Sequence, residues 1–326
     1  MLDRVRQCAR DALTAYRCHP GAEIELLNVS ENATFLVTDP DDGLSVIRVH
    51  RLGYHTEPAI ASELAWMDAL RAEAGIRTPR VLAAAGGRRI VAVPERAGGA
   101  VRQCVRFEFL PGVEPDLADE RAVSYFTELG EITARMHRHA RTWARPDWFT
   151  RFRWDYDAAF GQEARWGRWQ HGMGVGPAER EVLARLEAVL RERLAAFGTG
   201  DERFGLVHAD TRLANLLVHD GTVSVIDFDD SGLSWYLYDL GTTMSFFEHS
   251  PAVPALIDSW LTGYRTTGTI TAADEAEIWT FILYRRLLLV AWIGTHQAVD
   301  IAAELGAGYT RDSCDLAERY LSGRCC

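Results

Sequence analysis

Residues 204–239 constrain the fold more than any other part of the chain. Three short apolar runs alternate there with the polar loop HADTRLAN and the turn HDGT, and the third run ends on the acids Asp227, Asp229 and Asp230. Apolar runs bounded by turn residues are typical of short strands. Polar residues at the ends of buried strands indicate a site, because the strands form a rigid base for the loop that carries the chemistry.

The spacing of these polar residues fits phosphoryl transfer from ATP. That chemistry needs a carboxylate to accept or orient the substrate hydroxyl, and oxygen ligands to hold Mg²⁺ on the phosphates. Asp210 suits the first role, and Asn215 and Asp227 suit the second, because Mg²⁺ prefers carboxylate and amide oxygens. A lone D-x-x-x-x-N is common, but here two matched segments lie twelve residues apart and a turn joins them, which is hard to reach by chance.

The same segment resembles a known family. The pattern H-x-D-x-x-x-x-N from His208 to Asn215, followed by D-F-D, resembles the catalytic and metal-binding segments of the aminoglycoside phosphotransferase and choline kinase-like family, relatives of the protein kinases. The stretches VIRVHR, ASELAWMDAL and MHRHARTWARPDWFTRFRWD are most similar to the bacterial stress-response Ser/Thr kinase-like branch. The resemblance implies that His208 braces the catalytic loop and that Asp239 is structural. It also implies that Asp229 either assists a second metal ion or caps the turn.

The resemblance implies an α+β fold of the two-lobed protein-kinase type. A small β-rich lobe at residues 1–110 would bind the nucleotide, and a larger, mainly helical lobe at residues 111–326 would carry catalysis and acceptor binding. The hydrophobic patterns agree with this order. The elements predicted in the first lobe are a helix at 2–18, strands at 23–29, 33–38 and 44–50, a helix at 57–74, and strands at 80–84, 89–93 and 101–110. The helices predicted in the second lobe are at 118–139, 177–196, 251–265, 274–295 and 310–321.

The third predicted strand places Arg48 where this family has a phosphate-binding lysine. Glu63 follows fifteen residues later, in the order of the strand–helix ion pair that positions nucleotide phosphates. All 35 basic residues are arginines, so no displaced lysine can take this role. An arginine keeps the charge but offers a planar fork in place of a point charge. The alternative is a surface ion pair that contributes little.

Two further segments are candidates for nucleotide contacts. Ser30 and Asn32 lie in the loop where protein kinases have a glycine-rich phosphate loop, but this loop contains no glycine. An ordinary β-turn is therefore the alternative. The sequence EFLPG resembles the hinge between the lobes, where backbone groups at Glu108 and Leu110 would form hydrogen bonds with adenine.

The acidic charge lies in the later part of the chain. Residues 1–112 hold 14 arginines and 14 acids, whereas the remainder holds 21 arginines and 32 acids, which accounts for the whole net charge of −11. A nucleic-acid partner would need a basic face, so none is predicted. The excess favours a neutral or cationic acceptor, with a solvated surface as the alternative. The aromatic-rich segment 141–170 is either a packing insert or a wall of the acceptor pocket.

Further features indicate a cytoplasmic protein without a membrane partner. No signal-peptide pattern is visible, and the apolar run at 287–294 is too short to span a bilayer, so it predicts a buried helix. Six scattered cysteines without a C-x-x-C motif are typical of reduced thiols. Cys325 and Cys326 indicate a frayed terminus more than a lipid anchor. The oligomeric state is left open.

The sequence as a whole predicts an ATP- and Mg²⁺-dependent O-phosphotransferase, a kinase. Its acceptor would be the hydroxyl group of a small molecule of the aminoglycoside or amino-alcohol type. One alternative is a kinase of Ser/Thr in a protein or a precursor peptide. The other is a nucleotide-binding pseudokinase scaffold, which the missing lysine favours and the intact Asp210, Asn215 and Asp227 oppose.

Overall fold

The computed structural model describes residues 2–29, 32–95, 99–297 and 299–324. The chain divides into two compact units, the first formed by residues 1–112 with 144–151 and the second by residues 113–143 with 152–326. The assignment of residues 1–110 to the nucleotide and 111–326 to the acceptor stays a prediction.

The short segment 144–151 belongs to the first unit, although it follows the first helix of the second. The backbone N–H of Thr150 donates to the hydroxyl of Ser62 at 2.9 Å, and the guanidinium of Arg151 donates to the carbonyl oxygen of Ala59 at 3.0 Å. Side-chain to backbone hydrogen bonds between residues so far apart in sequence leave no trace in the hydrophobic pattern. For this reason the membership of residues 144–151 in the first unit was not predicted.

The first unit is built on an antiparallel sheet with strand order β1-β2-β3-β6-β4 and with β5 also paired to β6. The strands are β1 (Glu23–Val29), β2 (Ala33–Asp39), β3 (Gly43–Val49), β4 (Val81–Leu82), β5 (Val91–Pro94) and β6 (Val101–Glu108). A tight hairpin joins β2 to β3. Asp39 accepts the backbone N–H of Asp41 at 2.9 Å, and Gly43 closes the turn with a φ of 75°, which a residue without Cβ adopts freely.

Two helices accompany this sheet, α1 (Leu2–Ala15) and α2 (Glu57–Glu73). Helix α1 contributes its apolar face to a core that includes Phe35 and Val37 of β2. These two residues alternate with less buried neighbours along the strand, as expected for a sheet with one covered face. Helix α2 begins after Thr56, whose hydroxyl accepts the backbone N–H of Ala59 at 3.3 Å and so satisfies one of the free donors of the first turn.

The second unit is mainly helical and contains two antiparallel strand pairs. Its helices are α3 (Ala122–Thr142), α4 (Tyr156–Phe160), α5 (Pro177–Phe197), α6 (Tyr236–Thr243), α7 (Val253–Tyr264), α8 (Ala272–Glu275), α9 (Ile278–Thr295) and α10 (Asp300–Leu321). Its strands are β7 (Phe204–Val207) paired with β10 (Gly232–Trp235), and β8 (Leu216–His219) paired with β9 (Thr222–Val225).

Helices α3 and α7 approach each other closely at two glycines. A Cβ atom on Gly130 would lie 2.0 Å from the carbonyl oxygen of Trp260, and one on Gly263 would lie 1.7 Å from that of Thr127. Both distances are far below van der Waals contact. Any other residue at either position would push the two helices apart.

Helix α9 is buried on all its faces. The stretch Ala272–Thr295 is long and apolar enough to cross a membrane by length and composition, but 83% of its apolar window is buried inside the fold. The apolar run at 287–294 is therefore a buried helix, as predicted. The helix also buries two arginines, Arg285 and Arg286, which the core of a protein tolerates only when they are paired.

Most predicted elements are present, and the differences lie at their ends. The strand predicted to reach residue 110 ends at Glu108, and the helix predicted at 118–139 is shifted to Ala122–Thr142. The helix predicted at 310–321 begins earlier, at Asp300, with a backbone break at Gly306 where φ is 48°. The single helix predicted at 274–295 is wrong in one respect, because α8 and α9 are separate helices.

The aromatic-rich segment is mostly a packing insert. Trp154, Trp166 and Trp169 are buried, whereas Trp148 is exposed. The indole N–H of Trp154 donates to the carbonyl oxygen of Asp230 at 2.8 Å, and that of Trp169 donates to a carboxylate on α5 at 2.8 Å. Buried indoles that satisfy their N–H in this way are structural anchors.

Candidate active site

The loop between β7 and β8 is held in place by the buried carboxylate of Asp239, on α6. One of its oxygens accepts the backbone N–H of Ala209 at 2.7 Å, and the other accepts that of His208 at 3.1 Å and the imidazole Nε2 of His137 at 2.9 Å. Ala209 lies in the left-handed region with a φ of 66°, which is strained for a residue with a Cβ. Such strain persists only where the surroundings fix the backbone, and here Asp239 supplies the fixing contacts.

The imidazole of His208 joins this loop to the strand that precedes Asp227. Its Nδ1 accepts the backbone N–H of Asp210 at 3.2 Å, and its Nε2 lies 3.1 Å from the carbonyl oxygen of Ile226. Since Nδ1 accepts, the proton of the neutral ring resides on Nε2 and donates to Ile226. The ring also packs on Phe228. These contacts link the loop to the segment before Asp227, and the role of His208 as a brace, which the family resemblance implies, stays a prediction.

The carboxylate of Asp210 is surrounded by three donors. The guanidinium Nη2 of Arg285 lies 2.5 Å from Oδ1, while the amide Nδ2 of Asn215 lies 2.6 Å from Oδ2 and the Nε of Arg212 lies 3.4 Å from the same oxygen. The side chain is still 14% exposed, so one side of the carboxylate is open. Burial alone would raise the pKa of Asp210, but the positive charges of Arg285 and Arg212 together with the Asn215 hydrogen bond hold it below its ordinary value.

Strand pairing brings Asn215 next to the segment that carries Asp227. Leu216 pairs with Val225 across β8 and β9, and the backbone N–H of Ile226 donates to the carbonyl oxygen of Asn215 at 2.9 Å. The side-chain nitrogen of Asn215 is used by Asp210, which leaves its oxygen Oδ1 as the atom that can reach a cation. Asp227 is exposed and has a φ of 60°, a second strained position in the same region.

The chemistry of these donors fits Mg²⁺. Among residues 2–29, 32–95, 99–297 and 299–324, no group of three His, Cys, Asp or Glu side chains converges as a cation cage. Mg²⁺ is usually held by one or two carboxylates together with substrate phosphates and water. An amide oxygen on Asn215 and a carboxylate on Asp227 are therefore sufficient protein ligands. Asp229 is buried, unlike Asp227, and its role as a second metal ligand or as a turn cap stays a prediction.

Arg48 and Glu63 form the predicted ion pair in the first unit. Nη2 of Arg48 lies 2.6 Å from Oε1 of Glu63, and the two side chains are only 5% and 0% exposed. The guanidinium also lies over the ring of Phe107. The alternative of a surface ion pair is therefore wrong, because both charges are removed from water and each depends on the other.

The other nucleotide candidates are less distinctive. Ser30 lies outside the described residues, and the side-chain oxygen of Asn32 accepts the backbone N–H of Arg51 at 3.0 Å, which is a structural contact. The carboxylate of Glu108 is paired with Arg80 at 2.9 Å. Leu110 lies beyond the end of β6, so its backbone groups are outside the strand ladder. The nucleotide-binding roles of Ser30, Asn32, Glu108 and Leu110 stay predictions.

One residue beside the candidate catalytic carboxylate was missed by the sequence analysis. Arg285 lies 75 positions from Asp210 in the chain, too far for any local pattern to connect them. The available signal was the pair of arginines inside an apolar helix, since buried charges need partners.

Comparison with known proteins gives consistent similarities. Residues 23–276 match the phosphotransferase enzyme family. An amicoumacin kinase of Bacillus subtilis (strain 168) is 26% identical over 267 residues, which are 77% of this chain and 75% of that protein.

Solved structures extend these similarities to nearly the full length. The structure of a microcompartment-associated aminopropanol kinase has a TM-score of 0.90 and 44% identity and is matched over 98% of both chains. The amicoumacin kinase hAmiN, in complex with AMP-PNP, Ca²⁺ and Ami, has a TM-score of 0.76 and 22% identity, covering 95% of this chain and 93% of that one. The second likeness concerns the fold alone. The predicted α+β fold of the kinase type is confirmed.

Proposed function

The chain belongs to the phosphotransferase enzyme family, and on this premise we propose that it transfers the γ-phosphate of Mg·ATP to the hydroxyl group of a small amino alcohol. The predicted activity of a kinase with an alcohol group as acceptor agrees with its relatives. The observation that carries the choice of an amino alcohol is the 44% identity to the aminopropanol kinase over 98% of both chains. The placement near the stress-response kinases stays a prediction.

In this proposal Asp210 orients the acceptor hydroxyl. The oxygen of the acceptor attacks the γ-phosphorus, the bond from that phosphorus to the bridging oxygen breaks, and ADP leaves, while the hydroxyl proton passes to the Asp210 carboxylate. Positioning of this kind supplies most of the catalysis in phosphoryl transfer, because the transition state is loose. Asp239 holds the backbone N–H groups of His208 and Ala209, and His208 holds that of Asp210.

Asn215 and Asp227 are the residues that would hold Mg²⁺, as their oxygen donors and neighbouring strands support. When bound, the ion neutralises charge on the phosphate oxygens. Arg48, fixed by Glu63, is assigned to the nucleotide phosphates, and the backbone at Glu108 and Leu110 to adenine. These assignments follow the family resemblance of their positions.

The acidic charge of residues 113–326 favours an acceptor that carries an ammonium group. That part of the chain holds 21 arginines and 32 acids, and such a field raises the local concentration of cations. Three acceptors with the same carbon skeleton and secondary hydroxyl isolate this effect: 1-amino-2-propanol, 1,2-propanediol and lactate carry charges of about +1, 0 and −1 at neutral pH.

We expect 1-amino-2-propanol to have the highest kcat/KM of the three. A charge-assisted hydrogen bond to its ammonium group contributes about 1.5–3 kcal/mol, so 1,2-propanediol should be poorer by roughly 10- to 150-fold and lactate should not be phosphorylated. The kcat/KM for 1-amino-2-propanol should fall as salt rises. A kanamycin control and a Ser-containing peptide complete the panel. Preference for either of them, or for lactate, would contradict the amino-alcohol assignment.

Replacing Arg48 by alanine is expected to raise the KM for ATP and to destabilise the fold. The buried carboxylate of Glu63 would lose its partner, at a cost of about 3–5 kcal/mol. R48K should keep more activity than R48A, because it retains a charge. Thermal denaturation and ATP titration of each variant give the two quantities.

The double variant R48A/E63A separates the two roles of Arg48. It leaves no orphaned charge, so its stability should recover relative to R48A, while its KM for ATP stays raised. An unchanged KM in all three variants would limit Arg48 to a structural role.

We further propose a cytoplasmic location. Among the described residues, Cys8, Cys18, Cys104 and Cys314 are free thiols, the state that a reducing compartment maintains. Cys325 and Cys326 lie outside the described residues. The proposal includes no nucleic-acid or membrane partner.

A further inference from the structure

The carboxylate of Asp210 has one contact that the proposed chemistry does not use. Arg285 binds Oδ1 at 2.5 Å, whereas Asn215 and Arg212 approach Oδ2. A carboxylate offers about four lone-pair directions, of which these donors take up to three. At least one direction is left for the acceptor hydroxyl. The Arg285 contact therefore fixes the rotation of the carboxylate and does not occupy all of its lone-pair directions.

The guanidinium of Arg285 is itself held from several sides. Its Nε donates to the hydroxyl of Ser245 at 3.1 Å and its Nη1 donates to the hydroxyl of Tyr238 at 3.1 Å. Its plane lies over the indole of Trp166, with 5.0 Å to the centroid. Burial raises the pKa of Tyr238 to about 12, so its hydroxyl is neutral and accepts the Arg285 donor. A planar fork with every nitrogen engaged is a rigid support.

The neighbouring arginine shows what a purely structural pair looks like in the same helix. Arg286 binds Glu248 at 2.5 Å and Ser313 at 2.8 Å, and Glu248 also accepts the hydroxyl of Tyr309 at 2.9 Å. Both charges of that pair are fully enclosed, at 1% and 0% exposure. The partner of Arg285 is different, because the side chain of Asp210 is 14% exposed. One side of that carboxylate is left accessible to another molecule.

We infer that Arg285 is a positioning residue for phosphoryl transfer, which holds the Asp210 carboxylate in the orientation that meets the acceptor hydroxyl. The inference rests on the proposed function, in which Asp210 faces the acceptor. Arg285 does not itself contact the acceptor or the phosphate in this role. Its effect should therefore be on kcat and not on the KM for ATP, because a small misplacement of a reacting group costs rate more than nucleotide binding.

The test compares R285K with R286K, two equally conservative changes at adjacent buried positions. A lysine keeps the charge but cannot bind Asp210, Tyr238 and Ser245 at once. We expect R285K to lower kcat by about 10²-fold with a KM for ATP near that of the wild type, and R285M to lower it further. R286K should reduce the melting temperature to a similar degree and leave kcat near wild type. The readout uses the best acceptor of the panel.

Y238F and S245A keep the test decisive if the Arg285 variants do not fold. Each removes one hydrogen bond to the guanidinium and leaves the Asp210 carboxylate in place, so each should lower kcat in part and leave the KM for ATP unchanged. Equal kcat losses in R285K and R286K, or unchanged kcat in Y238F and S245A, would overturn the inference. A wild-type enzyme that phosphorylates nothing in the panel contradicts the proposed function. An active wild type with unaffected Arg285 variants contradicts this inference alone.

Discussion

Asp210→Asn is expected to lower kcat by about 10²–10⁴-fold, the usual contribution of a positioned acid or base, and to leave Mg·ATP affinity nearly unchanged. An amide has one acceptor oxygen where the carboxylate has two, while Arg285 and Asn215 both donate to this group. The variant therefore loses the negative charge and turns one donor contact into a donor–donor conflict. Acceptor phosphorylation and calorimetric titration with Mg·AMP-PNP measure the two properties separately.

Asp220→Asn is the matched control for this substitution. This substitution makes the same change of charge at a residue in the turn between β8 and β9. The side chain of Asp220 is 90% exposed and its φ is 50°. Asparagine tolerates this left-handed conformation as well as aspartate does, so the control should resemble the wild type. Wild-type turnover in Asp210→Asn would remove Asp210 from the reaction. Loss of turnover in both variants would point to a general effect of charge.

Local sequence was sufficient for the parts of the site that are close in the chain. Arg48 and Glu63 are fifteen residues apart, on a strand and the helix that follows it, so the hydrophobic pattern of the two elements placed them in order. Asn215 and Asp227 were predictable for the same reason, since they flank two strands, β8 and β9, that a tight turn joins. In both cases the turn or helix between the residues limits the geometry that the chain can adopt.

The hydrophobic pattern of the sequence could not predict contacts between elements that are far apart in the chain. The pairing of β7 with β10 joins Val207 to Gly232, and the GLSW strand is too short to show an alternating pattern. Arg285 meets Asp210 only because α9 is packed in the core of the second unit. The same limit applies to burial, because the sequence could not tell whether the Arg48–Glu63 pair lay in the core or on the surface.

Substitution of Asp227 is expected to have the second large effect on kcat, because its carboxylate is the proposed charged ligand of Mg²⁺. Asp227→Asn is more informative than Asp227→Ala, since the backbone φ of 60° is tolerated by asparagine and strained for alanine. Loss of several kcal/mol of charge stabilisation by the metal corresponds to a fall in kcat of roughly 10³-fold. We also expect Asp227→Asn to need more Mg²⁺ for half-maximal activity, and to bind AMP-PNP with a smaller gain in affinity on addition of Mg²⁺.

Asp229→Asn, studied over the same Mg²⁺ concentrations, separates the two roles left open for the buried neighbour of Asp227. A second metal ligand would shift the Mg²⁺ dependence of kcat, because removing a ligand charge weakens binding of the ion. A turn cap would lower the melting temperature and leave the Mg²⁺ dependence unchanged, because capping contacts act on the folded backbone alone. An Asp227→Asn enzyme with the wild-type Mg²⁺ requirement would reject Asp227 as the ligand, whatever Asp229→Asn does. The φ of 60° at Asp227 would then be a feature of the turn alone.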